Sequence, residues 1–133
     1  MTDYFHLNAA PDDIRAISNL GLAHLGDGVF ELMVRSWLVL HGKATSRGLH
    51  KATVYFVQAP SQARMAEKII PVLTEEEADV FRRGRNTSPH TVPKAASREE
   101  YQTATAVEAL FGYLYLQGKH QRLNELFTLM MGE

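Results

Sequence analysis

A chain of 133 residues, 45% of them apolar, suffices for one ordinary domain with its own core and is too apolar for a disordered tail. It has no cysteine, which excludes disulfides and thiolate metal sites and suits a reducing compartment. Its opening residues carry no apolar run of the signal-peptide kind, and no apolar stretch reaches the ~18 residues of a membrane span, so a cytoplasmic protein with no membrane partner is expected.

Read in chain order, the punctuation is that of helices. Pro11 followed by Asp12 and Asp13 marks a helix start, with acids where the helix dipole favours them. A second helix is predicted from about Asn19 to His41, closed by Gly42, with Leu22, Leu25, Val29, Leu32, Met33 and Leu40 at three- and four-residue steps. Thr45 or Ser46 caps a third, running to about Gln58. Pro60 and Ser61 open a short fourth, which Pro71 stops. Thr74 through Glu77 is a capping box for a helix reaching Arg85. Pro89 and Pro93 keep the segment from Asn86 to Ala96 irregular. Ser97 through Glu100 is a second capping box, for a helix carrying Val107, Leu110, Phe111, Leu114 and Tyr115 to about Gly118. A last helix, Gln121 to about Met131, places Leu123, Leu126, Phe127 and Met130 on one face. No stretch alternates with a period of two, so the expected fold class is all-α, a single helical domain over 1–133.

Charge is segregated. Net charge is only −1, yet ten of the 14 lysines and arginines fall in two acid-free windows, one between Glu31 and Glu67, the other between Asp79 and Glu99. Such a pattern fits either a basic surface for a polyanion or ordinary solvated faces.

Two acids sit in apolar company: Asp27 in HLGDGVFEL and Glu108 in TAVEALFGYLYL. Burying a charge costs several kcal/mol unless it is paired. Gly26 and Gly28 flank Asp27, and Gly112 lies one turn beyond Glu108, although glycine weakens a helix by roughly 1 kcal/mol relative to alanine. Either each acid faces solvent at a helix edge, or the glycines let two helices approach and bring the acids together over a divalent cation such as magnesium. Glu31 is expected to pair with Arg35 across one helical turn rather than extend the site. His24 is expected to support or pack near the site rather than ligate metal.

These segments resemble a known pair of motifs. His24-Leu25-Gly26-Asp27-Gly28-Val29 resembles the F-L-G-D-[AS]-V signature of the ribonuclease III catalytic domain, and Ala106 through Leu116 resembles its second signature, [TF]-x-E-A-L-I-G-A-I-[YF]-L. Leu49-His50-Lys51, Arg82 through Asn86 and Thr91-Val92-Pro93-Lys94 are similar to stretches of the family's dwarf branch, Mini-ribonuclease III. The resemblance covers nearly the whole chain and leaves no room for an appended double-stranded-RNA-binding domain. It departs from the usual signatures at Ala23 and Thr105, where the family's longer members carry further acids.

The resemblance implies a ribonuclease III-like helical bundle and a hydrolase that cuts double-stranded RNA. Asp27 and Glu108 would be its catalytic, metal-holding acids, with Mg2+ as cofactor and Mn2+ as substitute. It also implies 5′-phosphate products, a homodimer, and maturation of precursor large-subunit (23S) ribosomal RNA, with ribosomal-protein assistance an open point. With no accessory domain expected, the chain itself is expected to grip RNA, and Arg83, Arg85, Asn86 and Lys94 are the candidate RNA-binding residues. The same residues leave two other readings: a catalytically inactive RNA-binding module, and a helical phosphohydrolase for small nucleotides.

Overall fold

The computed structural model describes residues 1–42, 45–87 and 96–132. Among them are seven α-helices and no strand, as the all-α reading expects. In order they are α1 (Pro11–Arg15), α2 (Asn19–Leu40), α3 (Ser46–Val57), α4 (Ala59–Ala66), α5 (Glu75–Arg85), α6 (Arg98–Leu116) and α7 (His120–Met131), with a 3-10 turn at Ile70–Val72 between α4 and α5.

The caps explain most boundaries. Ser18 and Thr45 accept hydrogen bonds from the backbone N–H of Gly21 and Gly48 and so start α2 and α3. Thr74 and Ser97 each form the reciprocal capping box expected for α5 and α6. Two expectations need correction. α4 starts at Ala59, one residue before Pro60, because the missing proline N–H costs nothing in the first turn. It also ends at Ala66, well before Pro71: the amides of Glu67, Lys68 and Ile69 bond to carbonyls three residues back, so the chain has left the α-helix before proline could stop it. Pro71 lies instead within the 3-10 turn.

α6 is the central element. It packs chiefly against α2, then α5 and α4, and it is buried on every side from Ala104 to Val107 and from Ala109 to Gly112. The core joins Phe30, Val34 and Leu38 of α2 to Leu110, Phe111 and Leu114 of α6, closed by Leu126 and Met130 of α7. Phe30 meets Phe111 edge-on at 5.6 Å between ring centres, a preferred aromatic geometry. The α7 face expected from the sequence, Leu123, Leu126, Phe127 and Met130, is buried. That of α2 is buried only in part: Leu22 is buried and Val29 and Met33 pack at the edge of the core, but the core stripe runs through Ala23, Gly26, Phe30, Val34 and Leu38, while Leu32 and Leu40 are exposed. α2 is apolar nearly all round, so spacing alone does not choose its inward face.

One ion pair ties α5 to α7. Arg122 donates to both carboxylate oxygens of Glu77, at 2.8 and 2.9 Å, and to the Val72 carbonyl at 2.8 Å. No helix among the described residues is long and apolar enough to cross a membrane.

Candidate active site

The site begins with two glycines. A Cβ built on Gly26 would lie 1.6 Å from the Glu108 carbonyl oxygen, and one on Gly112 would lie 2.1 Å from the Leu22 carbonyl oxygen. α2 and α6 therefore cross in backbone contact, which any side chain at these positions would forbid. Gly28 plays no part in this approach, since a Cβ there would meet nothing within 4 Å.

The crossing brings Asp27 of α2 and Glu108 of α6 together. Both line one recess of about 190 Å³, with His24, Thr87, Tyr101 and Thr105 around them. Asp27 is exposed at the mouth and Glu108 is half-buried behind it. Burial, then the charge of Asp27, then a hydrogen bond to Asp27, push the Glu108 carboxyl from an ordinary 4.5 up to about 8; Gln62 pulls the other way. A carboxyl raised first by burial and then by a neighbouring carboxylate is one whose charged form a cation would stabilise.

Behind Glu108 lies a second cavity, of about 270 Å³, bounded in part by Val57, Gln62, Tyr101 and Thr105. Gln62 Nε2 donates to the Val57 carbonyl at 2.8 Å and reaches Glu108 Oε2 at 3.4 Å. The two places where further acids would stand are inert: Ala23 is buried, and the Thr105 hydroxyl donates to the Tyr101 carbonyl of its own helix at 3.0 Å. Among the described residues no group of three or more histidines and acids could hold a metal. Two carboxylates supply hard oxygen donors, and a hard divalent ion that keeps most of its waters, as magnesium does, fits that donor set. Asp27 and Glu108 would hold it.

The other residues singled out by the sequence fall as follows. Glu31 pairs with Arg35 at 3.1 Å, as expected. His24 is exposed and lines the acid recess rather than packing in the core. Arg83 pairs with Asp79 at 3.2 Å and borders a different recess, beside Arg15, Glu76 and Tyr113. Arg85 lies 3.7 Å from Glu99, across the gap between α5 and α6. Asn86 is exposed at the C-cap of α5. Lys94 lies outside the described residues. Sequence reasoning missed Gln62, Thr87 and Tyr101. Gln62 left one legible signal: it takes a place in the stripe of Met65, Ala66 and Ile69, where an apolar residue would be expected. Thr87 and Tyr101 left none.

The family model described as Ribonuclease III domain matches residues 20–119, which take in both acids and the helices that carry them, and this match places the domain in the ribonuclease III class. Relatives named Mini-ribonuclease 3 align over most of the chain. That of Symbiobacterium thermophilum is 46% identical over 107 residues, covering 80% of this chain and 82% of the relative. That of Clostridium tetani is 40% identical over 120 residues, covering 90% and 80%. The chain thus belongs to the ribonuclease III family, in its Mini-ribonuclease 3 branch. A crystal structure of a Fusobacterium nucleatum protein shares the fold with a TM-score of 0.82 at 34% identity, over 90% of this chain and 91% of that one.

Proposed function

We propose that this protein is a magnesium-dependent endoribonuclease that hydrolyses double-stranded RNA as a cytoplasmic homodimer and matures precursor large-subunit ribosomal RNA. The observation that carries the reading is the pairing of Asp27 with Glu108, whose carboxyl is raised to about 8 by burial and by Asp27. Family membership supports the reaction class, and the relatives' shared name, Mini-ribonuclease 3, supports the dwarf branch.

A magnesium ion, when bound, would supply an activated water and offset charge on the phosphate. The chain's own part is to hold it and to present the RNA. Asp27, the exposed acid, and Glu108, the half-buried one, line the same recess and would hold the ion between them. Tyr101 and Thr87 wall the recess. Duplex RNA is read mainly by shape and phosphate contacts. Arg83, Arg85, Asn86 and Lys94 are the cationic and polar groups we assign to those contacts, with Arg83 and Arg85 exchanging Asp79 and Glu99 for phosphate.

Dimerisation has support in the outer face of α2. Leu32, Val39 and Leu40 are 55%, 62% and 82% exposed. Beside them a recess of about 530 Å³ is lined by apolar side chains including Phe5, Leu25, Val29, Met33 and Leu123. A second copy would cover this face.

The test is cleavage of a long RNA duplex by purified protein with Mg2+, with EDTA, and by Glu108→Ala. Cutting that needs both metal and Glu108, leaving 5′-phosphate ends, is the expected result. No cutting under any metal condition would instead make the chain an RNA-binding module.

A further inference from the structure

Gln62 is 1% exposed, on a face of α4 whose neighbours Met65, Ala66 and Ile69 belong to the core. Burying an amide there is unfavourable unless its hydrogen bonds are made. Nε2 makes two, a short one to Val57 and a longer one to Glu108, while Oε1 has no partner among the described residues. The short bond fixes the amide to the end of α3. The long one reaches into the site.

We propose that Gln62 is a positioning residue of the site: anchored on Val57, its amide N–H holds one oxygen of Glu108 and turns the other toward a divalent cation shared with Asp27. The inference rests on the metal site argued above and goes beyond it. A carboxylate on a flexible stem loses rotamer freedom when it binds a metal, and a neighbour that restrains it beforehand reduces that loss. The position calls for a neutral donor. A lysine or arginine would neutralise Glu108 and repel the cation, and a carboxylate could not donate. Ala23 has no group to offer, and Thr105 gives its proton to Tyr101, so neither holds Glu108.

Gln62→Leu keeps the approximate volume and removes the donor. In RNA-free protein, Mn2+ affinity followed by electron paramagnetic resonance should fall about 10- to 100-fold. The Mg2+ concentration for half-maximal cleavage should rise in parallel, while duplex binding in EDTA stays as in the wild type. A merely structural glutamine would lower thermal stability and leave metal affinity of the folded protein unchanged. A folded Gln62→Leu that binds Mn2+ like the wild type would overturn the proposal. Should that variant not fold, the wild type suffices: in labelled protein the Gln62 side-chain amide resonances should shift on Mg2+ titration, and amide signals unmoved at saturation would overturn it equally. The metal site has its own control. Wild type that binds no Mn2+, or Asp27→Asn that binds it unimpaired, would sink the site and this proposal together. Loss of binding in Asp27→Asn with Gln62→Leu intact would remove only Gln62.

Discussion

Glu108 and Glu77 are both carboxyls held away from water, and their neighbours drive them in opposite directions. For Glu77, burial raises the carboxyl, but the Arg122 hydrogen bond, the Thr74 backbone N–H and the Arg122 charge outweigh it and leave it below the usual range. That pair therefore adds stability above the ordinary carboxylate value and loses it on acidification. Glu108 has the reverse sign. Its proton is held more tightly in the folded chain than in the unfolded one, so its contribution is fully present below 4.5 and is lost as pH rises toward about 8. Metal-free protein should accordingly lose thermal stability across that window, and Glu108→Gln should flatten the dependence. Because a metal needs the carboxylate, Mg2+ binding at neutral pH should release about one proton. Calorimetry in buffers of different ionisation enthalpy measures that release; binding without it would contradict the placement of the ion at Glu108.

At the scale of the helices, the crossing of α2 and α6 sets the distance between the acids. Gly26→Ala would drive a methyl group into the Glu108 carbonyl, so the helices must separate. Overpacking of this kind costs roughly 1–3 kcal/mol, and the displacement falls on the Asp27–Glu108 pair. The expected outcome is a lowered melting temperature together with cleavage reduced more than RNA binding; Gly28→Ala, which meets nothing, should instead raise the melting temperature, by relief of up to about 1 kcal/mol of helix cost, and leave cleavage nearly unchanged. The role of Gly26 and Gly112 was legible because glycine weakens a helix, so glycines beside acids in apolar helices point to a close crossing that needs them. The inward face of α2 was not. Its apolar residues surround the helix, and only the core partners Phe111 and Leu114 select Phe30, Val34 and Leu38 over Leu32 and Leu40. What the core leaves out is the proposed dimer face. Leu32→Lys should convert a dimer to a monomer in sedimentation without lowering the monomer's own stability. A wild-type monomer at all concentrations would refute the dimer.

Over the whole molecule, segregated charge and a nearly complete family match point to one use of the surface. The two acids and the order of helices were readable because motif, spacing and capping agree on them. Gln62, Thr87 and Tyr101 were not, because they come from α4, from the chain just past α5 and from the start of α6, and only the packed fold brings them to Glu108. Arg85 illustrates the same limit, since its acid partner Glu99 stands on another helix, whereas the Asp79–Arg83 pair spans one helical turn and could have been read from spacing. Both pairs are exposed, so replacing both arginines with alanine should cost little stability, about 1 kcal/mol or less per pair. It should weaken duplex binding and reduce its salt dependence by about one for each phosphate no longer neutralised. Unchanged binding would take these residues out of the interface. All of these roles depend on the proposal that Asp27 and Glu108 form a cleavage site rather than a structural pair. Asp27→Asn tests it most directly, with RNA cleavage in Mg2+ and duplex affinity in EDTA measured on the same preparation. Cleavage should be lost and affinity kept; a variant that still cuts at the wild-type rate would contradict the assignment.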